Sequence, residues 1–315
     1  MTIQRLSRGL LICTAVLLGC SRADQQATVQ RKPSETTEVA LLRVLMVDGQ
    51  NNHDWVRTTP YMRKTLESCG RFITGVATSP PEGGNWEQFN PDFSKFDVVV
   101  SNYNGELWPS SVQANLERFI EGGGGLVIIH GANNPFAQWP AFNRMIGLAW
   151  RGDTSFGDRI YLDEEGNVVR VPKGEGISVG HGARHEFMVM LRDLEHPITR
   201  GMPRMWLHAK DELYHGQRGP ARDMQILATA YSDPQSGGSG RHEPMVWVIP
   251  YGKGRVFVNL MGHVWGDDAE MPGIRGIGFQ ALLRRGVEWA ATGDSHIPIP
   301  ENFPTQYAVT LAPLD

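Results

Sequence analysis

Between residues 41 and 130 short apolar runs alternate with segments of helical period. Leu42 to Val47 is continuously apolar and closes on Asp48-Gly49, which predicts a strand inside a sheet. A polar loop follows, and Thr59-Pro60 reads as an N-cap with a proline at the first helical position, so a helix is expected to run to Gly70. Arg71 to Thr78 and Phe96 to Ser101 are further strands. Ser110 with Gln113 has the spacing of a capping box, predicting a helix to Ile120 that stops in the run Gly122 to Gly125 before a strand at Leu126 to Ile129. Strand and helix in alternation imply an α/β fold. The expectation is a flavodoxin-like parallel sheet with helices on both faces and ligands at the C-terminal ends of its strands.

Residues 151 to 207 break this rhythm with glycine-rich loops and a short hairpin around Arg159 to Val171, an excursion expected to form a lid or rim. Strands resume at Met224 to Ala230. Pro244 to Ile249 and Arg255 to Leu260 flank the turn cluster Pro250 to Gly254, as antiparallel neighbours do. A last helix is predicted from Gly276 to Ala291, and the proline-rich tail from Gly293 is expected on the surface.

The N-terminus follows other rules. Arg5 and Arg8 precede the apolar run Gly9 to Gly19, too short to span a bilayer, and Leu17-Leu18-Gly19-Cys20 resembles a bacterial lipobox. Residues 1 to 19 are therefore expected to be a signal peptide, Cys20 the lipidated N-terminus, 20 to 39 a tether and 40 to 315 the domain, facing the periplasm or the outside. An uncleaved anchor with a chance Gly-Cys is the alternative. Loss of Arg5 and Arg8 takes the formal charge from -4 to -6. With 41% hydrophobic and 20% charged residues, and no dense basic block, the chain reads as globular and without a nucleic-acid partner. Of three cysteines only Cys69 stays free in the mature chain, read as a small apolar residue.

Histidines carry most of the candidate chemistry. His53, His130, His208 and His263 each sit where a strand or turn hands over to a loop. His130 occupies the elbow that holds a nucleophile in α/β hydrolases and amidotransferases, so imidazole replaces thiol or hydroxyl and a Cys-type acyl mechanism loses its central atom. As a base, a metal ligand or a hydrogen-bond donor it would be functional; as a bridge between loops it would be structural. His208, Asp211, Glu212, Tyr214 and His215 crowd into eight residues, a set open to acid/base work, to a divalent metal of unknown identity, or to a solvated turn. His181, Arg184, His185 and Glu186 form a second cluster, in which Arg184 could bind hydroxyls or a carboxylate. Trp55, Trp108, Trp139 and Trp265 fall in predicted loops, where their faces could stack on sugar rings.

Gly123 to His130, His196-Pro-Ile-Thr-Arg-Gly201, Asp211-Glu-Leu-Tyr214 and the stretch from Tyr251 to Gly262-His263 together resemble the ThuA-like family, named for trehalose utilisation, across Leu41 to about Pro304. The resemblance implies a core like class I glutamine amidotransferase domains without the cysteine, and work in carbohydrate metabolism beside a sugar oxidoreductase that makes 3-keto-glycosides. It carries the family's polar positions onto His53, His130, His208, Asp211, Glu212, Tyr214 and His263. Asn259 departs from the pattern. The expected activity is proton transfer on a sugar or 3-keto-glycoside, giving isomerisation, elimination or hydrolysis, with His130, His208, Asp211, Glu212 and His263 catalytic and His53, Trp55, His185, Tyr214 and Trp265 binding substrate. A non-catalytic carbohydrate-binding lipoprotein is the alternative; amidotransferase activity is disfavoured.

Overall fold

The computed structural model describes residues 40–314; residues 1 to 39, where the sequence leads one to expect a signal peptide, a lipidated Cys20 and a tether, lie outside them. In chain order the elements are β1 (Leu42–Asp48), α1 (Trp55–Glu67), β2 (Phe72–Thr78), β3 (Val98–Ser101), α2 (Ser110–Glu121), β4 (Gly125–Ile129) and α3 (Pro140–Ile146). There follow β5 (Asp158–Leu162), β6 (Val168–Val171), β7 (His185–Leu191), β8 (Met205–Asp211), β9 (Arg218–Gly219), β10 (Gln225–Tyr231), β11 (His242–Tyr251), β12 (Gly254–Asn259), α4 (Pro272–Arg275) and α5 (Ile277–Thr292).

One sheet runs in the order β2-β1-β3-β4-β12-β11-β10-β7-β8. From β2 to β12 the pairings are parallel, and from β12 to β8 antiparallel. The parallel half is thus as expected, with β3 and β4 buried at every residue, as continuous apolar runs require. The excursion is a correction: its hairpin, β5 with β6, is present, but β7 and β8 continue the sheet instead of leaving it. α5 packs over β3, β4 and β12, and α1 leans against α5. Among the described residues no helix is long and apolar enough to cross a membrane.

Two helix starts differ from the sequence reading. α1 begins five residues earlier than expected, with Asp54 and not Thr59 as its N-cap, because the Asp54 carboxylate accepts from the Arg57 N–H at 3.2 Å. Pro60 therefore lies within the helix on an exposed position, where water can satisfy the carbonyl its missing N–H leaves free. At α2 the N-cap is Pro109, so Ser110 is already helical, and the Gln113 amide donates to the Trp108 carbonyl at 2.7 Å instead of closing a capping box.

Trp108 and Trp139 are also corrected. Both are almost fully buried and pack with Phe136. They form core, not a sugar platform, because α3 and the turn before it close over them.

Candidate functional site

The C-terminal ends of β1, β4, β8 and β12 meet at one edge of the sheet, and each hands the chain to a polar residue. His53 follows β1, His130 follows β4, Glu212 follows β8 and His263 follows β12. Each places one donor atom within 4.8 Å of the others, and all four are buried. Tight backbone makes this approach achievable. His130 has φ +46, an uncommon conformation for a residue with a side chain, costing on the order of 1–3 kcal/mol and persisting only where the surroundings hold it. At Gly131 a Cβ would come within 2.5 Å of His53 Nδ1, so glycine is required there.

The imidazoles are held from behind. His130 Nδ1 donates to the Leu260 carbonyl at 2.7 Å, and its Nε2 accepts from the Tyr214 hydroxyl at 3.0 Å. His53 Nδ1 is 3.1 Å from Asn51 Oδ1. His181, in the loop before β7, donates from Nδ1 to the Gly182 carbonyl at 2.6 Å and turns Nε2 toward Glu212 Oε1 at 3.5 Å. His130 Nε2 lies 3.7 Å and His263 Nε2 3.0 Å from the same carboxylate.

Burial, reinforced by the neighbouring imidazoles, lowers the pKa values of His53 and His130 to about 3, so both are neutral. Burial would raise the Glu212 pKa, but His263 and the other imidazoles outweigh it and the carboxyl stays ionised. Desolvation and the two nearby carboxylates push Tyr214 well above the ordinary phenol value, leaving its O–H intact as a donor.

A pocket of about 170 Å³ opens on this cluster, lined by Asn52, Asn134, Trp150, His181, Tyr214 and Trp265 with His53 and Glu212. Trp265 lies 5.0 Å from the His53 ring, and Trp150 4.6 Å from Tyr214. A larger concavity of about 690 Å³ around Phe156, Arg222 and Tyr251 contains none of these groups.

Asp211 and His208 sit beneath the cluster. His208 Nε2 is 2.8 Å from Asp211 Oδ2, and the carboxylate also accepts from the backbone N–H groups of Glu212, Gly262 and His263. These bonds overcome burial and hold Asp211 below its usual value. Neither residue, both expected to act directly, lines the pocket; the structure places them behind Glu212 and His263, whose backbone N–H groups they hold through Asp211. Two expected binding residues also stand apart: Trp55 opens α1 and does not line the pocket, and His185 opens β7, where Nδ1 bonds the Ala183 carbonyl. Arg184, expected to bind hydroxyls or a carboxylate of a ligand, donates to the chain's own Asp268 at 2.8 Å. Asn259 is buried, and its Oδ1 accepts from the Met261 N–H. Trp150, Asn134 and Asn52 had no sequence signal; His181 had one, its place in a cluster of polar residues.

A family model for ThuA, described as trehalose utilisation, matches residues 43–290. The crystal structure of a ThuA-like protein from Parabacteroides merdae is 38% identical, covers 87% of this chain and 98% of its own, and superposes with a TM-score of 0.82. That of a ThuA-like protein from Bacteroides uniformis, 17% identical over 84% of this chain and 98% of its own, has a TM-score of 0.55 and shares the fold. No curated protein matches this chain.

Proposed function

The chain belongs to the ThuA family, which implies work in carbohydrate metabolism, and from that premise we propose that its cleft acts on a sugar or 3-keto-glycoside by proton transfer, assisted by a divalent cation. The cation's donors are drawn from His53, His130, Glu212 and His263. One observation carries this reading: His53, His130, Glu212 and His263 are all buried, and each places one donor atom within 4.8 Å of the others. His130 and His181 both spend their Nδ1 proton on a carbonyl and aim Nε2 at the Glu212 carboxylate. Among the described residues the Tyr214 hydroxyl meets His130 Nε2 but no aligned N–H or O–H reaches Glu212 or His181 Nε2, so a cation between them would satisfy acceptors that the protein leaves open. Donor atoms within 4.8 Å of one another are close enough to converge on one ion with metal–nitrogen bonds of about 2.1 Å.

When bound, such an ion supplies Lewis acidity at a carbonyl or hydroxyl oxygen. The side chains do the rest. A ketone acidifies the neighbouring C–H, and His181, whose free Nε2 opens on the pocket, accepts that proton while Glu212 stabilises the resulting imidazolium. The Tyr214 hydroxyl donates to an oxygen of the substrate, and Trp150 and Trp265 offer aromatic faces to the ring. Return of the proton to the former carbonyl carbon, with the neighbouring hydroxyl proton passing between the two oxygens, gives isomerisation; departure of a glycosidic oxygen that takes the proton from the His181 imidazolium gives elimination. A sugar oxidoreductase that installs the ketone is the partner this chemistry needs.

Purified full-length protein, with and without chelator, would be mixed with trehalose, glucosides and their 3-keto forms in deuterated water. Solvent deuterium should enter beside the carbonyl, and both chelator and Glu212→Gln should abolish it. Ligand-induced shifts without exchange or turnover would overturn the catalytic reading in favour of a carbohydrate-binding protein. The lipoprotein reading of residues 1 to 20 is tested separately: palmitate should label the chain in cells and fail to label Cys20→Ala.

A further inference from the structure

We propose, resting on the cation reading above, that the four candidate donors divide three to one: His53, His130 and Glu212 hold the ion, and His263 is a hydrogen-bond donor kept out of the ligand set by Arg184. A neutral imidazole carries one proton, and the opposite nitrogen holds the lone pair that can ligate. The Leu260 carbonyl only accepts, so the His130 proton is on Nδ1 and Nε2 is free to ligate. For His53 the partner is Asn51 Oδ1. That amide is oriented by its own Nδ2 donating to the Asn102 carbonyl at 3.1 Å and by Oδ1 accepting the His53 backbone N–H at 3.0 Å. His53 is therefore also protonated on Nδ1.

His263 is wired the other way. Its Nδ1 lies 3.3 Å from Arg184 Nη1, and a guanidinium can only donate. Asp268 anchors the same Nη1 at 2.8 Å, so the donor cannot swing away freely. The His263 proton must therefore sit on Nε2. That nitrogen is 3.0 Å from Glu212 Oε1 but out of line with it, close enough to favour the carboxylate charge yet leaving a buried N–H without an aligned acceptor. A protonated nitrogen does not ligate, and an orphaned buried donor needs an oxygen. A substrate oxygen on which negative charge develops would fill that need, as a neutral imidazole can do without giving up its proton. Two imidazoles and one carboxylate form a three-donor set that keeps coordination positions open for substrate.

Two measurements on the full-length protein test this. Long-range nitrogen–proton NMR of the metal-free protein should show His53 and His130 protonated on Nδ1 and His263 on Nε2; His263 protonated on Nδ1 would overturn the proposal. Zn²⁺ titration should give one site. His53→Ala, His130→Ala and Glu212→Ala should each weaken it by more than about 100-fold, beyond the roughly 10–100-fold typical of an outer partner, whereas His263→Gln, which keeps an N–H, should stay within about threefold. Arg184→Met frees His263 Nδ1 to take the proton, so Zn²⁺ should bind several-fold tighter and the Co²⁺-substituted spectrum should report an added nitrogen. Loss of Zn²⁺ by a folded His263→Gln, or weaker binding by Arg184→Met, would overturn the division of roles. A wild-type protein that binds no Zn²⁺ would overturn the cation reading itself.

Discussion

Asp211 and Glu212 are neighbours in the chain with opposite surroundings. Below the cleft, Asp211 is surrounded by donors: His208 and three backbone N–H groups. In the cleft, Glu212 meets the acceptor nitrogens of His130 and His181 and an out-of-line His263. A saturated carboxylate is a structural joint, because every lone pair is committed. An unsaturated one at the wall of a pocket keeps lone pairs open to whatever enters the cleft. The lesson is that burial alone does not separate floor from site; the count of satisfied partners does.

The sharpest way to break this comparison is to remove the joint. Asp211→Ala leaves three backbone N–H groups and His208 without their acceptor, so calorimetry should show a loss of about 3–5 kcal/mol, in the range of breaking a buried charged network. A loss below 1 kcal/mol would mean that the floor is not held there. Glu212→Gln should do the reverse in metal-free protein. An amide N–H beside His181 gains an acceptor the carboxylate could not use, His130 Nε2 being taken by the Tyr214 hydroxyl, so stability should rise by up to about 1 kcal/mol while Zn²⁺ binding and turnover disappear; a drop in melting temperature would contradict this.

Tyr214→Phe sharpens the contrast from inside the cleft. The phenol proton and a cation compete for the one lone pair on His130 Nε2. Removing a net hydrogen bond of about 0.5–1.5 kcal/mol should tighten Zn²⁺ by roughly 2- to 10-fold, read by calorimetric titration, even as catalysis falls. The smallest effect belongs to His185→Ala. Its imidazole lies outside the pocket, so Zn²⁺ affinity and turnover should be unchanged and stability should move by less than about 0.5 kcal/mol; a loss of substrate binding would return His185 to the site.

The aromatic residues repeat the same lesson. Trp108, Trp139 and Trp265 looked alike in sequence, each in a loop near a strand end. Trp108 and Trp139 are enclosed by Phe136 and α3, whereas Trp265 stays 39% exposed beside His53 and His263. Its loop is tied down by Arg57, which donates to the Trp265 carbonyl at 2.8 Å and pairs with Asp54. The Asp54–Arg57 pair is local, but the link to Trp265 has no local sequence signature, because Arg57 and Trp265 are 208 residues apart.

The sequence by itself determined the parallel half of the sheet, the elbow at His130, the ThuA resemblance and the histidines and acids from which the site is built. Those features are local: the strand and helix periods follow from backbone geometry, and a glycine or a turn acts within a few residues. Only the tertiary structure decided that β7 and β8 extend the sheet, that His181 joins the cluster and His185 does not, and that Asp211 supports while Glu212 faces the cleft. The physical reason is distance along the chain. The N–H groups that saturate Asp211 come from Gly262 and His263, some fifty residues away, and reach it only because the fold brings the end of β12 beside the end of β8.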